Sequence, residues 1–341
     1  MKKLFIAVLA VAGLASCMQD EVISQDQAAI EFGDAFVDNA TKVIYDDDNK
    51  VTAFQVWGTV TGENNTVALY QGANVYNGTA YNTAWTCDVT RYWTENCKYA
   101  FYAVVDSNVT PVQNVPANAN VKATDGVVKS IEYVADGKND LLYGATTATT
   151  GDEATGNIVA FTMQHLLSKI TFSVTNPDTN PADYLYNVKS ITVAGAYGSG
   201  TYTVDHNVDA NTGLPKNING TYAGTWVGTE TMDALSFTGV DALAKGNTHS
   251  SAEAFVIIPG NPALTITIKT ETVFGGKVIA TETHILKVND TDPANDKDTE
   301  ITFLKNYHYN FAVALPTLGN PIKFSINTVG DFDTPNETPI Q

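Results

Sequence analysis

Tyr307-His308-Tyr309-Asn310-Phe311-Ala312-Val313-Ala314-Leu315 places a large apolar side chain at every second residue. That is the period of a strand with one face buried, and no helix of 3.6 residues per turn can use it. Working outward, Ile170, Phe172 and Val174 repeat the pattern, as do Leu264, Ile266 and Ile268. Further strands are predicted over residues 28–32, 52–60, 66–75, 99–105, 127–134, 158–163, 188–194, 221–227, 253–258, 277–288 and 322–326. Turn formers separate them, among them Asn77-Gly78, Asp136-Gly137, Asn176-Pro177, Asn219-Gly220, Pro259-Gly260-Asn261-Pro262 and Gly275-Gly276. Many short strands with turns at close intervals predict an all-β fold of sandwiches. Only residues 24–29, 232–235 and 241–245 read as short helical pieces.

The N-terminus reads as an export signal. Lys2 and Lys3 precede the apolar run Leu4 to Leu14, and Leu14-Ala15-Ser16-Cys17 places small residues before a cysteine where signal peptidase II would cut and lipidate. Residues 1–16 are therefore predicted to be removed, with Cys17 first in the mature chain and the acyl chains on it as the membrane anchor. Met18-Gln19-Asp20-Glu21 follows, an acidic start that fits display on the outer face.

Removing sixteen of 341 residues leaves 325, enough for two domains. The boundary is placed near residue 162, after the Gly/Thr-rich stretch from Thr146 to Gly156, giving domains of 17–162 and 163–341. The formal charge is −18, and losing Lys2 and Lys3 leaves 17 basic against 37 acidic side chains, a formal −20. Such a polyanion repels nucleic acid and anionic lipid. Charged residues make up only 16% of the chain while Thr, Asn, Gly, Val and Tyr abound, the composition of an exported β protein with polar turns.

Enzyme patterns are absent from the sequence. His165, His206, His249, His284 and His308 are scattered, with no His-Glu-x-x-His pair, Gly-x-Ser-x-Gly elbow, Walker loop or Rossmann glycine pattern. No cofactor is expected. Asn289, Asp290, Asp292, Asn295, Asp296 and Asp298 form one oxygen-rich cluster that calcium could use, against the plainer reading of a solvated hairpin loop. Cys87 and Cys97 have two open readings: a disulfide, closing a loop worth roughly 2–3 kcal/mol in the chain-entropy model, or two independent buried thiols.

The run of fragments resembles a known family, the fimbrillins or type V pilins of Gram-negative anaerobes. The resemblance is carried by the lipobox at Cys17, Phe54-Gln55-Val56-Trp57-Gly58, Tyr92-Trp93, Tyr99-Ala100-Phe101-Tyr102-Ala103 and Asp140-Leu141-Leu142-Tyr143-Gly144. Phe161-Thr162-Met163-Gln164-His165-Leu166-Leu167-Ser168-Lys169-Ile170 and Tyr307-His308-Tyr309-Asn310-Phe311 complete it, in the family's order. It implies two tandem β-sandwich domains of transthyretin-like topology and export as an outer-membrane lipoprotein displayed on the cell surface. It further implies proteolytic removal of an N-terminal strand and head-to-tail polymerisation into a fimbrium by donor-strand exchange.

On that resemblance Ile30 and Phe32 mark the strand to be displaced. The only arginine is Arg91, so Lys42, with Lys50 second, stands where the family is cut. Val329, Phe332 and Ile340 are the donor-strand anchors in a tail that also holds Pro335 and Pro339. The partners implied are other copies of this chain or other pilin subunits, in the shaft or at the tip, and receptors on host or bacterial surfaces. The competing reading is a monomeric carbohydrate-binding surface lipoprotein, in which Tyr70, Tyr76, Tyr81 and Trp85 stack on sugars, although core and cross-strand packing accounts for most such aromatics.

Overall fold

The computed structural model describes residues 28–37, 51, 53–63, 65–76, 85–106, 118–149, 158–210, 215–218, 221–289, 300–316 and 322–329. Cys17, Lys42, Lys50, Asp290, Asp292, Asp296, Asp298, Phe332 and Ile340 lie outside the described residues. Among those described, every regular element is a strand.

A seven-stranded sheet carries the N-terminal part. Its order is β1 (Glu31–Val37), β9 (Ile158–His165), β8 (Leu141–Thr149), β5 (Lys98–Asp106), β2 (Ala53–Thr61), β3 (Thr66–Tyr76) and β4 (Thr86–Cys87). β1 runs parallel to β9, while the other pairs are antiparallel. The two ends of the sheet meet. Ala29 bridges Tyr92, just beyond β4, and the amides of Ile30 and Trp93 donate to the carbonyls of Arg91 and Ala28 at 2.8 and 3.0 Å. One face thereby encloses Phe32, Phe54, Val56, Tyr70, Phe101 and Phe161.

The other face, with Tyr102, Val104, Leu141 and Tyr143, packs on a four-stranded sheet ordered β15 (Gly224–Gly228), β12 (Ser199–Val204), β7 (Val127–Val134) and β6 (Ala119–Thr124). β7 pairs with β12 from Ser130↔Thr203 to Val134↔Ser199, so strands on either side of residue 162 share one sheet, and residue 162 itself falls inside β9. A two-residue ladder of β13 (Asn217–Ile218) and β14 (Thr221–Tyr222) leads into β15.

The C-terminal sandwich closes around Ile170, Phe172, Ile191, Ile266, Ile268 and Phe311. One sheet is ordered β18 (Thr248–Ser250), β10 (Ser168–Thr175), β22 (His308–Ala314) and β23 (Lys323–Val329), with β19 (Phe255–Ile257) also on β10. The facing sheet is ordered β16 (Leu235–Phe237), β11 (Tyr184–Ala194), β20 (Leu264–Phe274) and β21 (Lys277–Val288), with β17 (Val240–Leu243) also on β11. The helical pieces expected at 232–235 and 241–245 are instead parts of β16 and β17 and their approaches. Four or five residues cannot nucleate a helix, and Leu235, Phe237 and Leu243 reach the core by pairing along β11.

Only Leu166 and Leu167 separate β9 from β10, and their carbonyls are fastened by Trp226 Nε1 at 2.7 Å and by the Asn306 amide at 2.9 Å. Beside them Lys305 Nζ donates to Tyr202 Oη and to the carbonyls of Tyr222 and Gly224 at 2.9, 2.7 and 3.2 Å, above the Tyr202 ring. Burial lowers its pKa to about 8. His308, at the start of β22, exchanges a 2.7 Å hydrogen bond through Nε2 with Thr171 Oγ1. Burial, then the Lys169 charge, lowers its pKa to about 4 from 6.5.

Between those values the unfolded chain holds a proton that the folded one does not, so this stability is complete above pH 6.5 and is lost as pH falls toward 4. The loss is on the order of 3 kcal/mol. Urea midpoints measured across that window are expected to decline with acid, and His308→Gln is expected to flatten the decline.

Candidate functional site: the slot filled by the first strand

β1 is laddered along one edge, and it and the residues just before it are held at points along the other. On one side it pairs with β9 through Glu31↔Ile158, Phe32↔Val159, Ala35↔Phe161, Phe36↔Thr162 and Val37↔Met163. On the other, the Val51 amide donates to the Ala35 carbonyl at 3.2 Å, and residues 28–30 pair with residues 91–93. A bulge between Phe32 and Ala35 lets both side chains face inward, where Ile30, Phe32 and Ala35 are all buried.

Phe32 stands at the centre of an aromatic cluster. Its ring meets Phe54 at 6.1 Å, Tyr70 at 5.5 Å and Phe101 at 6.0 Å edge to face, and stacks on Phe161 at 6.4 Å. Such pairs each add about 0.5–1.5 kcal/mol beyond burial. Trp93 extends the cluster through Tyr99 at 4.7 Å and Phe101 at 6.1 Å. Two polar atoms in this wall, Tyr70 Oη and Trp93 Nε1, are buried with no hydrogen-bond partner among the described residues. Burial raises the Tyr70 pKa well above the usual phenol range.

The sequence marks Ile30 and Phe32 but misses the walls. Phe54, Phe101 and Phe161 stand in fragments quoted for the family resemblance, whose pattern gives a face and not a neighbour. Tyr70, named as a sugar platform, is a slot wall only 2% exposed, and Trp85 is half-buried against Phe54 at 5.4 Å, so neither offers an open stacking face.

The Cys87–Cys97 bridge is not formed. Cys87 pairs with Val75 at the end of the sheet, whereas Cys97 is buried beyond the left-handed turn at Asn96 (φ 56°), and the two sulfurs are not joined. Burial raises the Cys87 pKa. Asn289 is committed as well: its side chain brackets Ile301 with two 2.7 Å hydrogen bonds, Nδ2 donating to the carbonyl and Oδ1 accepting from the amide, and so ties the base of the acidic loop. Among the described residues no group of three or more His, Cys, Asp or Glu is placed to hold a metal. Of the donor candidates only Val329 is reached, where β23 pairs it with His308.

A family model described as fimbrillin-like matches residues 41–328. No curated protein matches the chain. Among solved structures, a fimbrial protein from Bacteroides vulgatus is 14% identical with a TM-score of 0.51, covering 89% of this chain and 99% of that one. A fimbrial assembly protein from Parabacteroides distasonis is 13% identical with a TM-score of 0.34, covering 89% and 97%. The tip fimbrial protein Mfa3 from Porphyromonas gingivalis is 11% identical with a TM-score of 0.37, covering 88% and 97%. At these identities the likeness is one of fold, carried by the first of the three.

Proposed function

The chain belongs to the fimbrillin-like family, and we propose that it is a subunit of a cell-surface fimbria, of the shaft or the tip, in which β1 is removed and replaced by a strand of another subunit. The observation that carries this reading is the seating of β1, which is laddered to β9, tied by the Val51 amide on its other side, and holds Phe32 in the middle of the aromatic cluster. Its continuation toward β2 is through residues 38–50, which include Lys42 and Lys50.

A cut in residues 38–50 turns β1 from part of the chain into a bound peptide. Once it leaves, backbone groups of Ile158–Met163 and Arg91–Trp93 lose their partners and the cluster is uncovered, a slot that demands another strand. A strand supplied by the next copy makes a heterologous contact, which repeats into a fibre. Export as a lipoprotein on Cys17 places these events at the cell surface and supports adhesion.

Limited trypsin digestion of the intact protein is expected to cut first at Lys42 or Lys50, since lysines within strand ladders are held by their hydrogen bonds. The cut protein is expected to form fibres visible by electron microscopy while the uncut protein stays monomeric. If it remains monomeric after β1 is gone, strand exchange is not how this chain assembles. For export, Cys17→Ala is expected to leave the precursor unprocessed and to abolish its partition into detergent; unchanged partition contradicts the lipobox.

A further inference from the structure

The outer face of the four-stranded sheet carries a groove that strand exchange does not use. Ile131, Tyr133 and Tyr202 of that sheet point inward onto the seven-stranded one, so Glu132 and Val134 of β7 and Ser199 and Thr201 of β12 point away from it. Cross-strand pairing sets Asn120, Glu132, Thr201 and Val227 side by side across four strands. One pair further along, Val134 lies opposite Ser199, whose carbonyl accepts the Thr229 amide at 2.8 Å. β12 contributes only small residues here, Ser199-Gly200-Thr201, between the larger side chains of its two neighbours. The result is a trough of about 560 Å³. That lies within the roughly 300–1,000 Å³ of small-ligand sites.

The lining chemistry is selective. Glu132 is the only charged residue of the lining, and Lys122 Nζ offsets it at 3.2 Å. Its Oε2 accepts from Asn120 Nδ2 at 2.8 Å, while Ser199 Oγ and Thr229 Oγ1 share a hydrogen bond of 2.7 Å across the trough's other wall. These bonds hold the polar groups in place before a ligand arrives, which lowers the ordering cost of binding. Capacity is left over: a carboxylate accepts at both oxygens, an amide oxygen accepts, and each hydroxyl both donates and accepts. Val134 and Val227, the two most exposed large apolar side chains among the described residues at 61% and 62%, stand at opposite corners.

A ligand that suits these walls has hydroxyls that donate and accept along its edges, C–H faces for the two valines, and no net charge. An anionic chain is repelled by a protein of formal charge −18, and an apolar peptide finds no continuous apolar surface. We propose that the trough binds an uncharged oligosaccharide, with Asn120 and Glu132 holding hydroxyls on one side and Ser199, Thr201 and Thr229 on the other. No exposed aromatic ring is needed. The site is independent of β1, whose slot opens on the other face of the seven-stranded sheet.

The test applies the uncut mature chain to an array of neutral and acidic oligosaccharides and titrates the best neutral binder by calorimetry. Thr201→Trp, which fills the trough from an outward position, is expected to weaken binding at least tenfold. Thr203→Trp, on the same face but beyond the lining, is expected to leave it unchanged. Glu132→Gln, which removes a charged acceptor, is expected to weaken binding by about tenfold. Urea midpoints of the variants are expected to match that of the parent.

If binding survives Thr201→Trp, the sugar sits elsewhere and the inference falls. It falls equally if no oligosaccharide binds, or if acidic ones bind better than neutral ones. Should Thr201→Trp fail to fold, Glu132→Gln and Asn120→Ala decide: undiminished binding in both overturns the proposal. Strand exchange stands or falls separately from all of these results.

Discussion

Ile30→Asp combined with Phe32→Asp is expected to destabilise the uncut protein by about 5 kcal/mol or more. Full burial of each apolar side chain contributes roughly 1.5–3 kcal/mol, and a carboxylate in its place must lose solvent without a partner. Phe32 has a further stake through its four ring contacts. The pairs Ala29↔Tyr92 and Ala35↔Phe161 also depend on β1 lying in place, so the loss extends to the closure of the seven-stranded sheet. Chemical denaturation of the uncut chain measures this. If strand exchange assembles the fibre as proposed, the same two changes are expected to leave unaltered the stability of subunits already in fibres. Equal destabilisation of both forms would show that β1 remains in the fibre.

Asp140→Ala is the second large effect, expected to cost about 3–5 kcal/mol, the usual penalty for removing one member of a buried polar pair. Asp140 Oδ2 meets His165 Nδ1 with both side chains about 2% exposed, and Asp140 Oδ1 accepts the Leu141 amide at 2.8 Å. The pair ties the start of β8 to the end of β9, where Leu142 and His165 are opposite each other in the ladder. β9 is also the strand against which β1 lies, so loosening it is expected to speed trypsin-triggered release of β1 as well as to lower the urea midpoint. Asp140→Asn, which keeps the shape and one acceptor oxygen, is expected to cost less. If Asp140→Ala leaves both midpoint and release rate unchanged, this contact does not hold β9 in register.

The strands that were legible in the sequence are those with one face in a core. Tyr309, Phe311 and Val313 alternate because β22 lies between β10 and β23 with one face on the C-terminal core, and the pattern survives intact. Strands with small residues were not legible. Thr146 to Thr149 lie in the Gly/Thr-rich stretch that precedes the expected domain boundary, yet they close β8, pairing with Phe101 to Lys98 of β5. β8 carries Gly144 because a Cβ there would crowd Met163 and the Thr162 carbonyl. β12 reads as a polar turn-like run, Ser199-Gly200-Thr201-Tyr202-Thr203-Val204, and is a strand because β7 and β15 flank it.

The same limit applies to the site. Ile30 and Phe32 announce an apolar strand, but β1 pairs in parallel with β9 more than a hundred residues away, and alternation carries no information on such partners. Phe54, Tyr70, Phe101 and Phe161 become one cluster only through the strand order of the sheet. What the sequence did hold was the family resemblance, because its quoted fragments coincide with β2, β5, β8, β9 and β22.

Peptide mass spectrometry of fibres purified from cells tests the exchange most directly. Fibres built by replacement of β1 are expected to yield peptides covering Ala53–Val329 and none covering Ala28–Val37, with an N-terminus at or near Val43 or Val51. Recovery of Ala28–Val37 in equal amount with the rest of the chain would mean that β1 never leaves its slot, and would contradict the account.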